Sequence, residues 1–142
     1  MPKQVFKSKY GLLPGSSYDE LIHDARIIYR EIAKKSKRTP YIKSPLFDKE
    51  KIFLDLFWTR LNTIRGRKRR VERLKYYKCA IDLLSHSSYK IESKKNRDNP
   101  KELVWEFIGV TKNGEPFAVH IKQGADKKKM KHLMSCFPKK SL

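Results

Sequence analysis

Apolar residues recur at helical spacing through the first part of the chain and at alternate positions after it. Tyr18, Leu21, Ala25, Ile28, Tyr29 and Ile32 are three or four apart. Ser17 and Glu20 form an S-x-x-E capping box just ahead of them, which predicts a helix over 18–35. The stretch "SKRTPYIKSPLFDKE" ends it with two prolines. Asp48 is placed to cap a second helix over 49–64, with Phe53, Phe57, Leu61 and Ile64 in one stripe. Leu54 and Trp58 widen that stripe, as expected of a helix buried among neighbours. Gly66 interrupts the pattern, and Val71, Leu74, Tyr77, Ile81 and Leu84 then carry a third helix to about 84.

Beyond "SHSS" the period falls from 3.6 to 2. Tyr89 and Ile91 alternate with Lys90 and Glu92, and a polar turn leads to Leu103, Trp105 and Phe107. Lys112-Asn113-Gly114 is a hairpin signal, and Phe117, Val119 and Ile121 form the apolar side of the returning strand. "HLMSCF" reads as a fourth strand, ended by Pro138. The expected architecture is α+β: about three N-terminal helices packed on one face of a C-terminal four-stranded antiparallel sheet. We expect a single domain over 1–142, with an arm at 1–16, a helical part at 17–86 and an antiparallel meander at 88–138.

Charge narrows the function more than length does. Lys and Arg number 34 against 15 acidic residues, a formal net charge of +19. The cations interleave with apolar residues along the whole chain, as in a folded basic domain. Such a surface attracts polyanions, of which nucleic acid is the commonest. An anionic membrane surface, or a merely well-solvated lysine-rich surface, are the other readings. No stretch is long and apolar enough for a secretion signal or a membrane span, so we expect no membrane partner. Cys79 and Cys136 are too few for a disulfide framework or a zinc site and read as reduced thiols of a cytoplasmic protein.

The hairpin carries the candidate chemistry. If Phe117, Val119 and Ile121 face the helices, Ala118, His120 and Lys122 share the other face. Glu106, between Trp105 and Phe107, lands there too, near His120 or Lys122. A carboxylate, an imidazole and an ammonium together suit RNA cleavage without a metal or any other cofactor. A base removes the 2′-hydroxyl proton, an acid protonates the leaving oxygen, and a cation stabilises the developing charge. An ordinary cross-strand charge pair has the same spacing. Ser135 is placed to hydrogen-bond a phosphate or to fill a gap in the core. Lys131 and His132 border the basic turn before the last strand, where a phosphate could be clamped. "RGRKRR", with Arg65, Arg67, Lys68, Arg69 and Arg70, is the densest basic cluster and suits phosphate contact.

"LVWEFIGVTKNGEPFAVHIKQ" followed by "KKKMKHLMSCFP" resembles the phage-associated branch of the barnase/EndoU/colicin/RelE-like small toxin ribonucleases. The resemblance lies in Trp105-x-Phe107-x-Gly109-x-Thr111, the Val119-x-Ile121 alternation and the closing Ser135-x-Phe137-Pro138. It covers about 44–138. It implies RNA bound on the open sheet face, Glu106, His120, Lys122 and Ser135 as site residues, and Arg65, Arg67 and Arg69 as phosphate contacts. It also implies a toxin-like endoribonuclease with an acidic antitoxin or immunity protein as partner. The alternative is a non-catalytic nucleic-acid-binding domain on the same basic faces.

Overall fold

The computed structural model describes residues 5–89, 93–95, 102–125 and 128–140. Helix α1 spans Tyr18–Lys35, the expected bounds, because the capping box forms: the Ser17 side chain accepts from the Glu20 N–H at 3.2 Å. Asp19 and Glu20 in its first turn and Lys34 and Lys35 in its last complement the helix dipole. Three further helices follow: α2 (Asp55–Leu61), α3 (Arg67–Lys75) and α4 (Tyr77–His86). The break between α3 and α4 falls at Tyr76, inside what the spacing reads as one helix.

The sheet departs from expectation. It is not a four-stranded antiparallel meander. The described strands are β1 (Phe6–Lys7), β2 (Tyr41–Ser44), β3 (Glu50–Phe53), β4 (Ser93–Lys95), β5 (Leu103–Val110), β6 (Pro116–Gln123) and β7 (Lys131–Pro138). Six of them run in the order β1-β5-β6-β7-β3-β2, and β4 pairs with β5. The sheet is mixed, because β1 lies parallel to β5 and β3 parallel to β7.

Two segments account for the difference. Asp48 does not cap a helix; Asp48 and Lys49 both adopt left-handed backbone, at φ 54° and 68°, and turn β2 back into β3. The first part of the expected second helix is therefore a strand, which puts Ile52 in the core. The arm supplies the other strand. Ser8 N–H donates to the Val110 carbonyl at 2.9 Å. Buried Asp82 of α4 fixes the arm, accepting from the Ser8 hydroxyl at 2.8 Å and the Lys9 N–H at 3.0 Å and pairing with His86 Nδ1 at 2.8 Å. Ile91 and most of the expected turn over 93–101 lie outside the described residues.

The core lies between the helices and one sheet face. Phe107, Phe117, Val119, Ile121, Leu133 and Cys136 share it with Leu21, Leu61, Leu74, Tyr77 and Leu83 of the helices. Gly109 is required there: a Cβ would lie 2.9 Å from Phe117 Cζ and 3.0 Å from Leu83 Cδ1. Cys79 and Cys136 are buried free thiols, and burial pushes both pKa values up. No described helix is long and apolar enough to cross a membrane.

Candidate active site on the open sheet face

The register assigns the opposite face. Glu106 pairs with His120, Ile108 with Ala118 and Val104 with Lys122 across β5 and β6. Across β6 and β7, Lys122 pairs with His132, His120 with Ser135 and Ala118 with Phe137. Of these nine residues only Ala118 is buried; the others are partly exposed. The sequence gives His132 and Ser135 opposite parity. A bulge at Met134, which has no partner in β6, brings both opposite open-face residues.

Glu106 and His120 meet as the alternation suggests: His120 Nε2 lies 2.8 Å from Glu106 Oε2. The cation on the other carboxylate oxygen is Lys139, whose Nζ donates to Oε1 at 2.7 Å. Lys122, the expected third member, pairs instead with Glu102 at 3.1 Å. Burial raises the Glu106 pKa, but hydrogen bonds from Lys139 and His120, and then their charges, outweigh it and bring the carboxyl down to about 2. Glu106 is therefore a fixed anion and a poor proton acceptor at neutral pH. An ionised carboxylate only accepts, so Nε2 of His120 is the donor, and whenever the ring is neutral Nδ1 carries the lone pair. This is the logic by which a carboxylate sets the tautomer of a general base.

Phe137 backs the imidazole, edge to face, with ring centroids 4.9 Å apart. Its ring also meets the Arg73 guanidinium, 5.1 Å from the centroid. Arg73 belongs to α3, so that helix delivers a cation around the edge of β7 to the open face. Burial above all, together with the charges of Arg69 and Arg60, lowers the Arg73 pKa, against the opposing influence of Cys136 and Glu72.

The basic cluster divides. Arg65, Arg67, Lys68 and Arg69 are exposed, with Arg67 5.8 Å from the Tyr18 ring. Arg70 is structural: its Nε donates to the Ile64 carbonyl at 2.9 Å and its Nη2 to the Asn62 carbonyl at 3.2 Å, tying down the α2–α3 connection. Lys131 points to the helix side, with Nζ 2.6 Å from Glu50 and 5.0 Å from the Phe47 ring. His132 is on the open face, 5.7 Å from the Phe53 ring. The register thus places Glu106, His120, Lys122 and His132 on one side; Ser135 is opposite His120 in the ladder but its hydroxyl is buried against α2 and α3, and Lys131 is left out. Lys139 and Arg73 are the additions that sequence reasoning missed.

Among the described residues no cluster of three or more His, Cys, Asp or Glu side chains is arranged to hold a metal ion. A separate cavity of about 420 Å³ lies between α1 and α2, bounded by Arg26, Tyr29, Arg30, Asp55, Trp58 and Thr59. Tyr29 donates to Asp55 there. Compared with protein-family models, with characterised proteins and with solved structures, the chain matches none.

Proposed function

We propose that the protein is an endoribonuclease that cleaves RNA without a metal ion, by attack of a 2′-hydroxyl on the adjacent phosphate. The observation that carries this reading is the His120–Glu106–Lys139 cluster, whose side chains are partly exposed on the sheet face away from the core. In this reading His120 Nδ1 takes the 2′-hydroxyl proton while the O2′–P bond forms. The P–O5′ bond breaks, and the Lys139 ammonium supplies the proton to O5′. Glu106 stays ionised, holds the ring and stabilises the imidazolium. The products are a 2′,3′-cyclic phosphate and a 5′-hydroxyl. The net charge of +19 supports a polyanionic substrate drawn in by long-range steering.

A toxin-type ribonuclease of the kind the sequence resembles would act in the cytoplasm and need an acidic antitoxin or immunity protein. The same positive field would speed its capture. The test is incubation of the purified protein with RNA in EDTA at low salt. Cleavage leaving 2′,3′-cyclic ends, abolished in His120→Ala, supports the proposal; no cleavage of any RNA refutes it.

The exposed run of Arg65, Arg67, Lys68 and Arg69 favours one second reading, a non-catalytic nucleic-acid-binding domain. It predicts salt-sensitive binding without turnover, unchanged in His120→Ala.

A further inference from the structure

We infer that Arg60, Arg73 and Ser135 form a phosphate-binding notch at the outer edge of β7, holding a phosphate of the bound strand beside His120. The choice of strand as the source rests on the nucleic-acid reading above; the notch itself does not.

The edge of β7 is divided between two neighbours. β3 pairs only with Lys131 and His132, so the remainder of that edge is left to α2 and α3, which pack on β7. Where they meet it there is a small cavity, about 50 Å³, between apolar Phe57, Leu61 and Ile64 and polar Arg60, Arg73 and Ser135. The cavity has room for a few waters or for the oxygens of one small anion.

Its electrostatics are unbalanced. Arg60 and Arg73 are close enough for the first to depress the ionisation of the second. Neither is paired with a carboxylate among the described residues. Two donors at the notch are also unused: Arg73 Nε and Ser135 Oγ are buried and have no hydrogen-bond partner among the described residues. Buried donors are normally satisfied, and exceptions call for an explanation. Two guanidinium groups and a hydroxyl around one small space match an acceptor-only, negatively charged group. Guanidinium forks fit phosphate oxygens in particular.

Position links the notch to the site. Ser135 is opposite His120 in the ladder, and the Phe137 ring contacts both His120 and Arg73. Ser135 follows the unpaired Met134 of the bulge, and its hydroxyl is buried at the notch. Arg69, one turn before Arg73 on α3, extends the positive track toward the exposed cluster.

The experiment uses an all-2′-deoxy oligonucleotide, which binds but lacks the attacking hydroxyl. Affinity is measured against salt for the wild type, Arg60→Ala and Arg73→Lys. Arg60 is exposed, so Arg60→Ala tests the notch even if a change at Arg73 upsets folding. Losing one phosphate contact should flatten the log–log salt slope by about 0.7 in Arg60→Ala. Arg73→Lys keeps the charge but loses the fork, so affinity should fall about tenfold with little change in slope. In parallel, inorganic phosphate and the oligonucleotide are each titrated into labelled protein, reading the Arg73 Nε–H and Ser135 amide resonances. Saturable shifts with phosphate alone identify a free-anion site; shifts with the oligonucleotide alone identify the strand as the source. Unchanged affinity and slope in folded variants, with no movement of the Arg73 resonance by either ligand, would overturn the notch. That result alongside RNA cleavage by the wild type would leave the ribonuclease reading standing. A flattened slope without any cleavage would do the reverse.

Discussion

Glu106→Gln keeps the side-chain shape and removes the charge that His120 and Lys139 share. In the folded protein those partners outweigh burial and lower the carboxyl pKa from 4.5 to about 2. At about 1.4 kcal/mol per unit, the displacement corresponds to roughly 3 kcal/mol of native-state stabilisation at neutral pH, as an upper figure. The folded pKa is depressed, so this contribution is complete above 4.5 and fades as the pH falls toward about 2. Urea unfolding of wild type and Glu106→Gln across this range isolates the effect, because the other carboxylates titrate in both proteins. The stability gap should be at most roughly 3 kcal/mol near pH 6 and lose more than half of its size by about pH 3. A gap of constant size would refute the reasoning, since uncharged packing does not titrate. The far side of each partner remains open to solvent, with side-chain exposures of 23% for His120 and 34% for Lys139, so the variant should still fold.

Three further outcomes are expected. Asp82→Ala removes the acceptor of the Ser8 hydroxyl and Lys9 N–H, costs about 3 kcal/mol, and should speed amide exchange at Ser8; unchanged exchange there would exclude Asp82 as the clamp of the arm. Gly109→Ala forces a methyl against Phe117 and Leu83 and should cost about 1–3 kcal/mol in thermal unfolding, where a neutral result would contradict the tight strand–helix approach. Ser17→Ala should cost about 1 kcal/mol in the same assay, while Ser17→Asp, which restores an acceptor, should not.

The parts of the fold legible in the sequence are those whose determinants are local. α1 begins where the capping box says, because Ser17 and Glu20 settle it between them. The Glu106–His120 pairing follows from alternation plus the turn at Asn113-Gly114, with Gly114 at φ 85°. β3 was hidden because Ile52, Phe53 and Leu54 are consecutive apolar residues that a helical stripe also accommodates. What decides against the helix is left-handed backbone at Asp48 and Lys49, neither of them glycine, stabilised by pairing with β2 and β7. β1 has two residues, too few to show a period, and exists through a partner about a hundred positions away. The site has the same division. His120 and Glu106 face each other by parity, whereas Lys139 follows a proline that reads as the end of the strand. Arg73 sits on a helix whose sequence carries no sign of which sheet edge it will reach.

The parallel pairing of β1 with β5, and of β3 with β7, has a consequence for biosynthesis. β1 and β3 each need a sheet neighbour that is made late, so full closure waits on loops of high entropy and is slow for a chain of this size. β7 leaves the ribosome after every other strand described, and with it come Phe137 and Lys139. If the protein does cut RNA, a nascent copy could not yet attack the message being read or the ribosome making it. The order of translation would itself be a safeguard for the producing cell.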